Sequence, residues 1–174
     1  MEKWIYQTNT DNTARYVLGT EGKNPLIVMS INPSIGAPDV TDPTLGTVRH
    51  IAEDYHYDSW IILALYPQRA THLKNLDEME NQEWETENLK VINEVLAAHP
   101  DARIWAAWGT HIHDRWFFPG CLKSVMEIAD KYNDSWMNYG PLTEHGDPRY
   151  CLYLEGGEGW SDFNIHQYYA NLQI

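Results

Sequence analysis

The sequence predicts an α/β domain: a three-layer α/β/α sandwich with a mostly parallel central sheet and an antiparallel hairpin at one edge. Two observations carry that prediction. Three runs, Leu26–Met29, Trp60–Leu65 and, apart from Arg103, Ala102–Trp108, are apolar, as strands are when helices cover both faces of a parallel sheet. Between them lie stretches whose apolar residues recur at helical spacing, and strand alternating with helix around one core is the α/β pattern. The chain has 174 residues, a length that suits one domain over 1–174 and buries about 70% of the unfolded surface.

Taken in order, Trp4–Tyr6 and Ala14–Leu18 are short strand candidates around a polar turn at Thr8–Asn12, and together they predict the edge hairpin. Leu26–Met29 is the first buried strand. It empties into Ser30-Ile31-Asn32-Pro33-Ser34 and a Pro-, Gly- and Asp-rich loop. Asp42-Pro43-Thr44 then opens a helix: an Asp side chain accepts from free backbone N–H groups, and proline fits the first helical position. In that helix Leu45, Val48, Ala52 and Tyr55 share one stripe.

Trp60–Leu65 is the second buried strand, followed by a loop over 66–76. A helix near Glu83–Ala98 comes next, with Leu89, Ile92, Val95 and Leu96 on its core face. Ala102–Trp108 is the third buried strand, closed by Gly109. Leu122, Val125, Met126 and Ala129 mark another helix. Ser135–Tyr139 and Cys151–Leu154 are further strand candidates, residues 156–159 a loop, and 163–172 a short terminal helix.

Composition narrows the function. The formal charge is −13, from 25 acidic and 12 basic residues. Duplex binding draws on Lys and Arg neutralising phosphates, so duplex nucleic acid is not an expected partner. The segment 77–87 is acidic without a basic residue. It is expected to be a solvated loop and first helical turn, where carboxylates favour the positive dipole end. Cys121 and Cys151 lack metal or redox spacing and are expected to be reduced packing residues in a cytoplasmic protein. No apolar run reaches the roughly 20 residues that span a bilayer, so no membrane partner is expected. Nothing in the sequence sets an oligomeric state.

Three buried strands end in polar groups: Asn32 and Ser34 after the first, Gln68-Arg69-Ala70-Thr71 after the second, Gly109-Thr110-His111 after the third. Parallel strands would gather these at one sheet edge, where open α/β sheets bind ligands. The ordered set Ser30-Ile31-Asn32-Pro33-Ser34, Asp42-Pro43-Thr44, Arg69-Ala70-Thr71, Ala107-Trp108-Gly109 and Leu142-Thr143 with Gly146 and Pro148 resembles the domain of unknown function 1643 family over roughly residues 12–155. That family has no established activity. Its early strand-to-loop motif and late His-Pro motif are similar to the uracil-DNA glycosylase-like superfamily. Here Tyr150-Cys151 stand where the family tends to show His-Pro, so the histidine that would stabilise a leaving base is missing.

The resulting expectation is an enzyme acting on a nucleotide- or nucleobase-like small molecule, N-glycosidic hydrolysis being its concrete form. Asn32 and His111 are the catalytic candidates. Asn32 presents an acceptor and two donors to a base edge or a water, or else satisfies loop backbone. His111 moves a proton near neutrality. Ser34, Arg69, Trp108 and Arg149 are the substrate-binding candidates: a phosphate contact, a bidentate clamp, an aromatic wall and a donor beside Tyr150. His111 and His113 diverge on a helix, and no nucleotide-binding glycine motif is present, so neither a metal nor a cofactor is expected. The competing class is a non-catalytic acidic domain that docks a protein partner or mimics DNA.

Overall fold

The computed structural model describes residues 1–154 and 156–172. Seven strands form one sheet: β1 (Trp4–Thr8), β2 (Arg15–Thr20), β3 (Pro25–Ser30), β4 (Ser59–Ala64), β5 (Arg103–Ala106), β6 (Ser135–Tyr139) and β7 (Trp160–Asp162). Their spatial order is β1-β2-β4-β3-β5-β6-β7. The four strands β4, β3, β5 and β6 run parallel, with Val28 level with Ile62 on one side and Trp105 on the other. β1 pairs antiparallel with β2, β2 with β4, and β6 with β7. The three apolar runs that predict buried strands are therefore neighbours at the middle of a mixed, mostly parallel sheet.

Side chains alternate along each strand, and this divides the core. Ile27 and Met29 pack with Val91 and Ile92 of α2 (Gln82–Ala98), Leu122 and Val125 of α3 (Phe118–Lys131), and Tyr168 of α4 (Ile165–Leu172). Leu26 and Val28 point the other way and pack with Leu45, Val48 and Ile51 of α1 (Pro43–Asp54). Asp42 caps α1 as its sequence position predicts, its Oδ1 accepting from Leu45 N at 2.8 Å, with Pro43 opening the helix. Asn81 caps α2 in the same way, at 3.0 Å from Trp84 N.

Two elements differ from their sequence reading. Cys151–Tyr153 form a 3₁₀ turn, not a strand. The place beside β6 is taken by Trp160–Asp162, where Trp160 packs edge-on against Tyr139 at 4.9 Å and Trp105 at 5.3 Å. A three-residue strand is too short to show a period of two, and its position is set by that aromatic packing. The third strand also stops at Ala106. Gly109 then adopts φ +63°, a left-handed conformation that suits glycine, and starts a 3₁₀ helix over Gly109–His113. Among the described residues no helix is long and apolar enough to cross a membrane.

Candidate functional site

Strand order locates the site. From β3 the chain crosses by α1 to β4 on one side, while β5 lies on the other side and leads to α3 on the opposite face. Connections that part in this way open a crevice at the carboxyl ends of the strands. A narrow cleft lies at the carboxyl end of β3, toward β4 and β2 on the α1 face, lined among others by Arg15, Ser30, Asn32, Ser34, Asp42 and Tyr150. Its volume is about 10 Å³, room for a single water.

Arg15 dominates the chemistry of the cleft. It opens β2, its backbone N–H bonding to Pro67 O at 3.0 Å, and it is only 6% exposed. Its Nη1 donates to Gly36 O at 3.0 Å, while Nε and Nη2 have no acceptor among the described residues. Burial and the nearby Arg69 cation lower its pKa to about 10, with Asp42 pulling the other way, so it stays a cation at neutral pH. Both oxygens of the buried Asp42 are engaged: Oδ1 on Leu45 N and Oδ2 on Gly36 N at 3.1 Å. Gly36 fits between the two charges, because a Cβ there would meet Arg15 Nη1 and Asp42 Oδ2 at 3.1 Å each. A buried guanidinium with free donors is an anion-binding group.

Asn32 is buried beside it. Its Nδ2 lies 3.0 Å from Pro33 O, 3.2 Å from Gln68 O and 3.0 Å from Ala70 O, tying the β3 loop to the β4 loop. The backbone-satisfying role thus occupies the amide nitrogen, and Oδ1 receives no donor from the described residues. Ser34 shares a hydrogen bond of 3.1 Å with Thr71 Oγ1 and lines the cleft.

A family model matches residues 15–152. The chain belongs to the family described as "Protein of unknown function (DUF1643)". No curated protein and no solved structure matches the chain significantly. The matched span begins at Arg15 and includes every described residue that lines the cleft. β1, β7 and α4 lie outside it.

The other sequence-predicted residues are placed around the cleft or away from it. Arg69 holds the loops rather than facing the cavity. It donates from Nη1 to Ser34 O and Gly36 O, from Nη2 to Tyr6 Oη at 2.7 Å and from Nε to Asn12 Oδ1 at 3.2 Å. His111 pairs with Asp114 at 2.8 Å, and its ring stands edge-on to Tyr150 at 5.8 Å, one residue removed from the cleft. Trp108 is wholly buried in the core, where its Nε1 donates to Tyr168 Oη at 3.0 Å. Arg149 pairs with Glu158 at 3.1 Å and does not line the cleft. His113 turns to a different carboxylate from His111, lying 3.2 Å from both oxygens of Asp147.

Two features escape the sequence reading. Arg15 is the only charged residue within Ala14–Thr20, and that lone charge in a buried strand was the available signal. The second is the buried Asp147, which accepts from Tyr168 Oη at 2.6 Å beside His113. Burial, then this bond, pushes the Tyr168 phenol well above its ordinary range. A hollow of about 520 Å³ lies alongside, lined by Thr110, His113, His145, Asp147 and Tyr168 among others. Its parts come from distant segments, so no local motif announces them.

Proposed function

We propose that this chain is an enzyme acting on an anionic nucleotide- or nucleobase-like small molecule, bound where β3 and β4 end. The frame is read as a single three-layer α/β/α domain with the β1–β2 hairpin at its edge. The observation that carries the proposal is Arg15: a buried guanidinium with donors to spare, at the strand ends of an α/β sheet. Arg15 takes the anionic group, and Asn32 Oδ1 accepts from a base N–H or orients the attacking water. Tyr150 and the 34–41 loop must open, because the closed cleft has about the volume of one water. Arg69 supports the site by fixing the carbonyls of Ser34 and Gly36.

The concrete reaction is N-glycosidic hydrolysis. Water adds to the sugar anomeric carbon, the carbon–nitrogen bond breaks, and the base leaves with a proton that His111 relays from beside Tyr150. The whole-chain charge of −13 disfavours long polyanions but acts weakly on a small anion, since charges beyond about 8 Å are screened at physiological salt. The competing reading, an acidic docking or DNA-mimic domain, gives no role to a buried arginine that opens on a cleft.

The test is base release. Nucleosides and nucleoside 5′-monophosphates are incubated with the wild-type chain and with Arg15→Met, and free base is followed by chromatography. Release from the monophosphates by the wild type, lost in Arg15→Met, is the expected result. Equal release by both proteins would remove Arg15 from the site, and no release from any substrate would leave the glycosidic form of the proposal without support.

A further inference from the structure

On the sheet face opposite α1, the first turns of α2 and α3 meet. Glu80 lies just before the α2 cap, Glu85 in the first turn of α2 and Cys121 in that of α3. One oxygen of each carboxyl and the Cys121 Sγ all lie within 4.8 Å of one another. Sequence spacing cannot show this cluster, since Cys121 is 36 residues beyond Glu85 (121 − 85).

Glu85 sets the cluster apart from an ordinary acidic helix start. It is only 6% exposed, and both carboxyl oxygens are sealed from solvent with no hydrogen-bond partner among the described residues. A buried polar group left in that state costs about 1–3 kcal/mol, more if charged, and native proteins rarely leave one unexplained. Cys121 is 2% exposed, and its thiol reaches Glu80 Oε1 at only 3.9 Å. Burial, reinforced by Glu80 and opposed by the nearby Cys121 thiol, which lies outside good hydrogen-bond geometry, raises the Glu85 pKa to about 8. Burial and both carboxyls push the Cys121 thiol far up. Three ligand-type atoms thus converge on one point, and among the described residues the one short hydrogen bond to these groups is from Gln82 Nε2 to Glu80 Oε2 at 2.7 Å, at the outer carboxylate.

We propose that Glu80, Glu85 and Cys121 form a binding site for a thiophilic divalent cation, Zn²⁺ above all. A sulfur ligand with two carboxylates suits zinc and excludes magnesium and calcium, which take oxygen. Tetrahedral zinc, at about 2.0 Å from oxygen and about 2.3 Å from sulfur, needs ligand atoms closer than they now lie. Binding requires the Glu80 and Glu85 side chains to rotate toward the Cys121 sulfur. Glu80, half-buried on the loop, is the side from which the ion and a water as fourth ligand enter. Binding converts the thiol to thiolate and Glu85 to carboxylate, releasing their protons to solvent.

The experiment uses the full chain, stripped with a chelator, and Co²⁺ as a spectroscopic substitute for Zn²⁺. Wild type should bind one Zn²⁺ against a chromogenic chelator and show a thiolate-to-cobalt charge-transfer band in the near ultraviolet, which Zn²⁺ abolishes. Cys121→Ser should lose the band, Glu85→Gln should weaken Zn²⁺ at least tenfold, and Cys151→Ser and His113→Ala should change neither readout. Absence of the band in the wild type, or Zn²⁺ binding unaltered by both Cys121→Ser and Glu85→Gln, would overturn the site. Neither readout depends on a nucleotide, so this outcome is separate from the fate of the Arg15 proposal.

Discussion

Asn32 shows how one side chain can give its nitrogen to structure and keep its oxygen for the proposed chemistry. Its amide nitrogen bridges the carbonyls of Pro33, Gln68 and Ala70, while Oδ1 remains for a ligand. Asn32→Ala leaves the part-buried Gln68 and Ala70 carbonyls without this donor and is expected to destabilise the chain by about 1–3 kcal/mol in urea unfolding. Loss of ligand binding in that variant alone therefore cannot isolate its functional role. Arg15 is the cleaner probe. Its side chain makes one described hydrogen bond, to Gly36 O, a carbonyl that also accepts from Arg69 Nη1, and Asp42 keeps its two backbone donors when Arg15 is removed. Arg15→Met removes one charge-assisted hydrogen bond and should lower the unfolding free energy by about 1.5–3 kcal/mol. A much larger loss would make Arg15 a structural group.

At the scale of elements, the α1 start and the 34–36 loop depend on one carboxylate. Asp42→Ala removes a helix cap, worth about 0.5–2 kcal/mol, and also strips the acceptor from the Gly36 N–H. Its loss of stability in urea should exceed that of an ordinary cap, reaching about 2–4 kcal/mol with the unpaired N–H included. A second expectation concerns the β5 entry, where Asp134 accepts from Ala102 N at 2.7 Å with its other oxygen buried and unpartnered. Burial, against that hydrogen bond and with help from Asp101, raises its pKa to about 6. The folded chain therefore holds this proton more tightly than the unfolded chain does. The stability it contributes is present below the ordinary aspartate pKa and lost as pH rises through about 6. Asp134→Asn should shed that slope: its melting temperature should gain on the wild type between pH 4 and pH 7, and a parallel pair of curves would refute the assignment.

Elements with strong local signals were legible in the sequence. The buried runs at Leu26, Trp60 and Ala102 lie side by side, and the Asp42 cap is where Asp-Pro-Thr places it. β7 was not legible, because aromatic packing on Tyr139 and Trp105 holds its three residues, not their own pattern. Among the candidate residues, Asn32 and Ser34 line the cleft. Trp108 falls in the core because the third strand ends two residues early and turns its ring toward Tyr168.

For the molecule as a whole, an acidic chain with a formal charge of −13 turns one buried cation toward a cleft at the carboxyl end of β3. That contrast is the centre of the functional proposal, and anion binding at Arg15 tests it most directly. Thermal unfolding of the wild type and of Arg15→Met is followed with inorganic phosphate and with a panel of nucleoside 5′-monophosphates. A ligand that binds only the folded chain adds about 2.7 kcal/mol at a hundred times its dissociation constant. The expected result is stabilisation of the wild type by a nucleoside monophosphate beyond that given by phosphate alone, and none in Arg15→Met. Equal stabilisation of both proteins, or none of the wild type, would contradict it.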